Sequence, residues 1–397
     1  MSTLSSAPGK QVVVAQTELK AGALHLPEVL MQAITHIAPA IGLITSVLAI
    51  TQNAGKTAPL AFLIAFVLML LLGVGLVELA RHLPSAGGYY TYVSRTVSAR
   101  AGFLTTWMYF LYDPVGGLLN FAIMGWILQA VLKAEWNVVF PWWIFMILAT
   151  AILTFLTYVG VELSGRSMVV LGIFEMVVVV LLTFTGLVHP GSGGVNLGGF
   201  NPGNSISANG LFLGVVFCIF AFTGFESVAP MAEESANPRR TLPRAIIWSI
   251  VIMGLFYTLC TWGILIGWGT NDLQSFNATS TSVSGNPVLP LAKHLWGGAW
   301  ILVLIAMLNS VLAVSIACQN AVTRVYFAMG RTGVLPRALA KVHPRFKTPT
   351  NAIWFQTAIN LVVGLGLGFW IGPYNEWALL AIVLTLAMIL VLSLIHI

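Results

Sequence analysis

Ten runs of apolar residues, each about twenty long, leave this chain few ways to fold. They lie near residues 29–51, 58–81, 102–132, 139–159, 168–188, 208–231, 245–268, 299–327, 351–371 and 377–395. A helix rising 1.5 Å per residue needs about twenty residues to cross a hydrocarbon core of about 30 Å. Inside that core only helices or closed barrels satisfy every backbone N–H and C=O. Barrel strands would alternate polar and apolar residues over about ten positions, whereas these runs are continuous, which selects helices. Composition agrees. Hydrophobic residues make up 58% and charged residues 8% of the chain, against roughly 25% charged in soluble domains. The expectation is an all-α membrane protein with about ten spans.

Charge then sets the orientation. With a cytoplasmic N-terminus, fifteen of the eighteen Lys and Arg residues fall on the cytoplasmic side. Only Lys56, Lys133 and Lys293 fall outside, the bias that cytoplasmic loops carry. Trp136, Trp142, Trp143, Trp262, Trp268, Trp296, Trp300, Trp370 and Trp377 collect near the predicted outer ends, as interfacial belts do. The net charge of +6 therefore reads as an orientation signal beside anionic lipid, not as a nucleic-acid surface. Cys218, Cys260 and Cys318 sit inside apolar runs and form neither a disulfide framework nor a metal-ligand spacing. No signal peptide is read in the polar tail 1–28. The tenth run stops at Leu394-Ile395-His396-Ile397 without a polar tail, which reads as a fragment of a longer protein or a misread reading frame.

Four ionisable residues lie deep in predicted spans: His36, Asp113, Glu175 and Glu226. Each costs about 2.5–3.5 kcal/mol at a helix centre on insertion scales, so each needs a partner or a function. A hydrogen bond to a neighbouring helix is the structural alternative for all four, and for Asp113 the hydroxyls of Tyr109 and Tyr112 are within reach. Glu78 and Arg81 lie near a span end, where snorkelling to the interface suffices.

Two spans carry signals of interruption. The first contains Ala38-Pro39-Ala40-Ile41-Gly42-Leu43, where proline lacks an N–H and clashes with the preceding turn. The sixth contains Phe222-Thr223-Gly224-Phe225-Glu226, a glycine amid small polar residues. Breaks five spans apart suit a transporter built from inverted repeats, whose freed amides and carbonyls hold ionic groups at the midplane. Burial disfavours the ionised form of a carboxyl group, which makes Glu226, next to the second break, the leading proton-linked residue. Glu175, among valines on the fifth span, is its competitor.

Three stretches resemble the amino acid–polyamine–organocation permease superfamily. The second span ends in Glu78-Leu79-Ala80-Arg81-His82-Leu83-Pro84-Ser85-Ala86-Gly87-Gly88-Tyr89-Tyr90-Thr91-Tyr92, similar to E-x(5)-P-x-A-G-G-x-Y-x-Y. Gly224-Phe225-Glu226 is followed by Glu233-Glu234-Ser235-Ala236-Asn237-Pro238-Arg239-Arg240-Thr241-Leu242-Pro243, similar to E-E-x-x-N-P-x-[RK]-x-[IL]-P. The eighth span leaves through Arg324-Val325-Tyr326-Phe327-Ala328-Met329-Gly330-Arg331-Thr332-Gly333.

The resemblance implies a five-plus-five inverted-repeat fold with discontinuous helices 1 and 6. The repeats would be 29–188 and 208–397, joined by an external loop 189–207, with two further spans usual after them. It implies substrate contacts at Ala38, Pro39, Ala40, Ile41, Gly42 and Leu43 on the first broken helix, and at Phe222, Thr223, Gly224 and Phe225 on the sixth. Asp113, on a third helix lining the site, joins them, and Glu226 matches a proton-sensitive glutamate of some antiporters. Ala38-Pro39-Ala40 replaces the family's G-[SA]-G triplet, and Glu175 falls where many members carry a lysine. The coupling ion, H+ or Na+, thus stays open, and no other cofactor is called for. The function implied is alternating-access transport of amino acids or related small amines across the plasma membrane, by ion coupling or exchange. A multi-pass enzyme and a channel are the alternatives. Neither a nucleophile–base spacing nor a filter loop is found for them. Partners would be the solute and membrane lipid, with a homodimer left open.

Overall fold

The structure, a computed structural model, describes residues 18–279 and 286–376, and beyond these only 379–380, 382–384 and 386–387. The tail 1–17, Trp377 and most of the predicted tenth span lie outside the described residues. Every described element is helical apart from an isolated bridge between Leu24 and Ser235. Among the described residues, eight helical stretches are long and apolar enough to cross a membrane, and the first of them, Leu26–His82, holds both the first and the second span.

The first span is broken where proline predicts. Helix α1 (Leu26–Ile37) stops at Ala38, which adopts a left-handed conformation (φ 60°), and α2 (Pro39–Ala54) starts on the proline itself. A first-turn proline forfeits no helical bond, since its N–H would be unpaired there. The second span is α3 (Ala58–His82), followed by a turn at Gly87-Gly88 and a short α4 (Tyr89–Thr96). Gly88 has φ +48°, a conformation that side chains disfavour.

The third span differs from the single helix expected. It divides at Leu111-Tyr112 into α5 (Ala99–Phe110) and α6 (Asp113–Trp136), because Pro114 supplies no donor to the preceding turn. Helices α7 (Trp142–Val159) and α8 (Val161–Val188) complete the first half.

In the second half, α9 (Ala208–Ala221) ends at a turn through Phe222-Thr223-Gly224 and continues as a 3-10 segment, Phe225–Met231. The seventh span, α10 (Pro238–Trp268), begins before the predicted 245 and before Pro243, which lies inside it. Asn237 takes the left-handed conformation (φ 49°), which asparagine tolerates, and Pro238 opens the helix. Its first turns carry Arg239, Arg240 and Arg244, all exposed. Short helices α11 (Leu273–Ala278) and α12 (Val288–Trp296) precede α13 (Ile301–Thr332), and α14 (Thr350–Ile371) follows.

Helix α10 packs along α3 and α8, while α13 packs against α6 and α8. A Cβ on Gly186 would stand 2.7 Å from the Gly263 carbonyl, so α8 and α10 cross at backbone contact, as small residues permit in membranes. Gly364 and Gly368 of α14 likewise leave room for Met146 and Trp142. The polarity is inverted relative to a water-soluble protein. Leu71, Phe155, Val170 and Trp370 are exposed around the bundle, while Glu175, Glu234 and Arg324 are wholly buried. Lipid accepts the first set, and paired polar groups need the second.

Candidate functional site

The two breaks meet. The α1–α2 junction packs against the Phe225–Met231 segment, and Gly224 lies against His36 and Ile37 so closely that a Cβ there would sit 2.7 Å from the His36 backbone. Between the breaks and α6 lies a cavity of about 100 Å³. A single water needs roughly 10–15 Å³ by the same measure. His36, Ala38, Ile41, Gly42, Asp113 and Thr223 are among the residues lining it.

Helix geometry sorts the expected contacts. At about 100° per residue, Ala38, Ile41, Gly42, Thr45 and Ser46 share one face of the first span, and all five line the cavity. Pro39, Ala40 and Leu43 point the other way, are buried among neighbouring helices and do not line it. On the sixth span Thr223 lines the cavity, whereas Phe222 turns away to pack on Tyr257 (centroids 5.5 Å apart) and Phe62. Gly224 and Phe225 are absent from the lining too, since Gly224 is covered by α1 and Phe225 is buried.

The four buried ionisable residues form two linked groups and one separate one. His36 Nε2 lies 3.1 Å from Asp113 Oδ1, and Tyr109 donates its hydroxyl to Asp113 Oδ2. Asp113 Oδ1 has no hydrogen bond of good geometry and is buried at the cavity wall. Tyr112, whose ring stacks on His36, donates to Glu226 Oε1, while the Gly224 amide donates to Glu226 Oε2 at 2.9 Å. Of the two tyrosines foreseen for Asp113, then, one binds it and the other binds Glu226.

Glu175 stands nearer the first break than its place among valines suggests. Its Oε2 accepts the Ala40 amide at 3.0 Å, and Ser310 Oγ accepts the Ile41 amide at 3.2 Å. Tyr257 donates to the carbonyls of Ile37 (2.8 Å) and Ala38 (3.3 Å) on the other side of the break.

Cys318 enters the site as well. Its Sγ is 3.5 Å from His36 Nε2, and donor atoms of His36, Asp113 and Cys318 all lie within 4.8 Å of one another. These three side chains could hold a metal ion, a grouping that sequence spacing conceals because its members come from three helices. Ser310 and Tyr257 are likewise concealed, since each is a hydroxyl among many in the sequence and only tertiary contact distinguishes it.

The amino acid permease family model matches residues 28–397. The branched-chain amino acid permease BcaP of Bacillus subtilis is 26% identical over 374 residues, covering 90% of this chain and 76% of that protein. The low-affinity putrescine importer PlaP of Escherichia coli K12 is also 26% identical, over 77% of this chain, which spans 66% of PlaP's length. In architecture the chain is similar to MhsT, solved in complex with L-phenylalanine. The TM-score is 0.65 at 15% identity, covering 95% of this chain and 89% of that one, so the fold is that of an inverted-repeat transporter. The named relatives are carriers, which sets aside the membrane-enzyme alternative. With the family model matching from the start of the first span onward, this multi-pass membrane protein belongs to the amino acid permease family.

Proposed function

We propose that the chain carries amino acids or small amines across the plasma membrane by alternating access, with the solute held in the cavity between the two breaks. One observation carries this: both discontinuous helices and the buried carboxyl of Asp113 face a single cavity. The repeats would be 29–188 and 208–397, joined by the loop 189–207, with the tail 1–28 in the cytoplasm. The similarity to a branched-chain amino acid permease and to a putrescine importer supports the solute class. Saturable uptake and counterflow in proteoliposomes test it, and flux linear in solute concentration without counterflow would favour a channel.

Glu226 is the proposed proton-linked group, since it ties the second break (through Gly224) to α6's neighbour Tyr112. A change in its protonation would loosen that tie and bias one conformation over the other, as coupling requires. His36, Tyr112 and Cys318 are the other titratable groups around it. Glu226→Gln, which cannot ionise, is expected to flatten the pH profile of uptake while solute still binds, and Glu175→Gln to do less. The reverse pattern would assign the role to Glu175.

The orientation proposed puts the loops 82–101, 232–244 and 328–350 in the cytoplasm. Arg337→Cys in a cysteine-free background should stay unlabelled by an impermeant thiol reagent on intact cells and label after permeabilisation. Strong labelling of intact cells would invert the topology.

A further inference from the structure

Where a helix is broken in a membrane, the amides starting its second half form the natural seat for a substrate carboxylate. In this protein that seat is taken. Pro39 has no amide hydrogen, the Ala40 amide is held by Glu175, the Ile41 amide by Ser310, and the Gly42 amide by the Ala38 carbonyl at 2.7 Å. At the second break Glu226 accepts the Gly224 amide, the Thr223 amide bonds the Phe220 carbonyl and the Ser227 amide bonds the Gly224 carbonyl. At the start of α6 the Tyr112 carbonyl takes the amides of Val115 and Gly116. The amides that open α2 are therefore all taken before an incoming anion arrives.

The cavity instead offers acceptors. Helices α1 and α9 end at Ile37 and Ala221, both of which line it, so both present their negative ends to it. Asp113 Oδ1 adds a buried oxygen without a well-aligned donor. Glu226 brings a second carboxyl group to the break beside it.

We infer that the solute is a small organic amine lacking a carboxylate, bound through its ammonium group, and that Glu175 excludes carboxylate-bearing analogues by occupying the anion seat at Ala40. This rests on the permease reading above and narrows its solute class. A carboxylate brought to the break would find the Ala40 and Ile41 amides already bonded, and burying it there without donors is strongly disfavoured.

Matched pairs that differ by the carboxylate give the test: ethanolamine against serine, putrescine against ornithine, and 3-methylbutylamine against leucine. Each is assayed for counterflow in proteoliposomes holding the full chain. At least one amine should exchange at roughly tenfold lower concentration than its amino acid. Glu175→Ala, and separately Ser310→Ala in case the first fails to fold, should narrow that gap by freeing an amide. Asp113→Asn should weaken amine exchange by about tenfold, the scale of a lost charge-assisted bond. Amino acids exchanging as well as or better than their amines would overturn the inference while leaving the permease reading intact. No exchange of any solute in either series would overturn both.

Discussion

Replacing Gly224 by alanine is expected to abolish uptake while the protein still inserts in the membrane. Gly224 has φ +122°, a conformation that costs a side-chain-bearing residue about 1–2 kcal/mol. Its missing side chain also faces protein: a Cβ would lie 2.7 Å from the His36 carbonyl carbon and ring, and 2.8 Å from the Ile37 amide nitrogen. Those atoms belong to the other broken helix, so relief of the clash means pushing the two breaks apart. Overpacking of this kind costs a further 1–3 kcal/mol or so, and a total near 3 kcal/mol is about a hundredfold in the population of the closed site. Gly42→Leu should act in the same direction, because a Cβ there would stand 2.7 Å from the Tyr257 hydroxyl and 2.9 Å from the Ile37 carbonyl. Insertion is governed by the apolar character of the spans, which neither change lowers. Surface expression at the normal level with uptake near background is the result that fits. Near-normal uptake by Gly224→Ala would show that the breaks do not work in contact.

These two glycines mark how far the sequence reaches. The spans are legible because crossing lipid imposes a length and a composition that no tertiary contact can override, as in α3 or α14. The breaks are legible because Pro39 and Gly224 act on their own backbone. The face of a broken helix is only half legible. Residues 38 to 43 were all expected at the solute, but the turn of α2 sends Pro39, Ala40 and Leu43 to the packed side. Partnerships across helices are not legible at all. Glu175 and Ala40 are 135 residues apart, Tyr112 and Glu226 are 114 apart, and Cys318 and His36 are 282 apart. Nothing local in the chain pairs them. Glu175 looked remote because its neighbours are valines, yet it is a helix-crossing, not a sequence neighbour, that gives it the Ala40 amide.

The largest stability effect is expected at Arg324. Its side chain and that of Glu234 are both fully buried, and the guanidinium grips the carboxylate with two bonds, Nε to Oε2 at 2.8 Å and Nη2 to Oε1 at 3.2 Å. Asn320 and Thr323 take the remaining nitrogen, so every side of the charge is answered. The pair pins the segment after the second break to α13. That segment is also tied to the start of the first span, through Leu24 to the Glu234 carbonyl (3.0 Å) and Ala236 to the Leu24 carbonyl (2.7 Å). Beside it Glu233 takes Arg331 and the Ala86 amide, binding in the turn before α4. The glutamate pair of the loop thus joins three parts of the chain at one end of the bundle. Truncating Arg324 to alanine strands the carboxylate of Glu234, itself fully buried, a loss of about 3–5 kcal/mol for a broken buried pair. The purified variant should lose its monodisperse peak at a markedly lower temperature than the parent. Replacing both partners by leucine removes both charges together, which theory and experiment on buried pairs make close to neutral. The double variant should therefore recover most of the thermal stability that either single change loses. If it is no more stable than Arg324→Ala, packing around the guanidinium, not the stranded carboxylate, is the source of the loss. Uptake by the recovered double variant then separates two roles, because an ion pair that must open during each cycle changes the rate when removed, whereas a static strut does not.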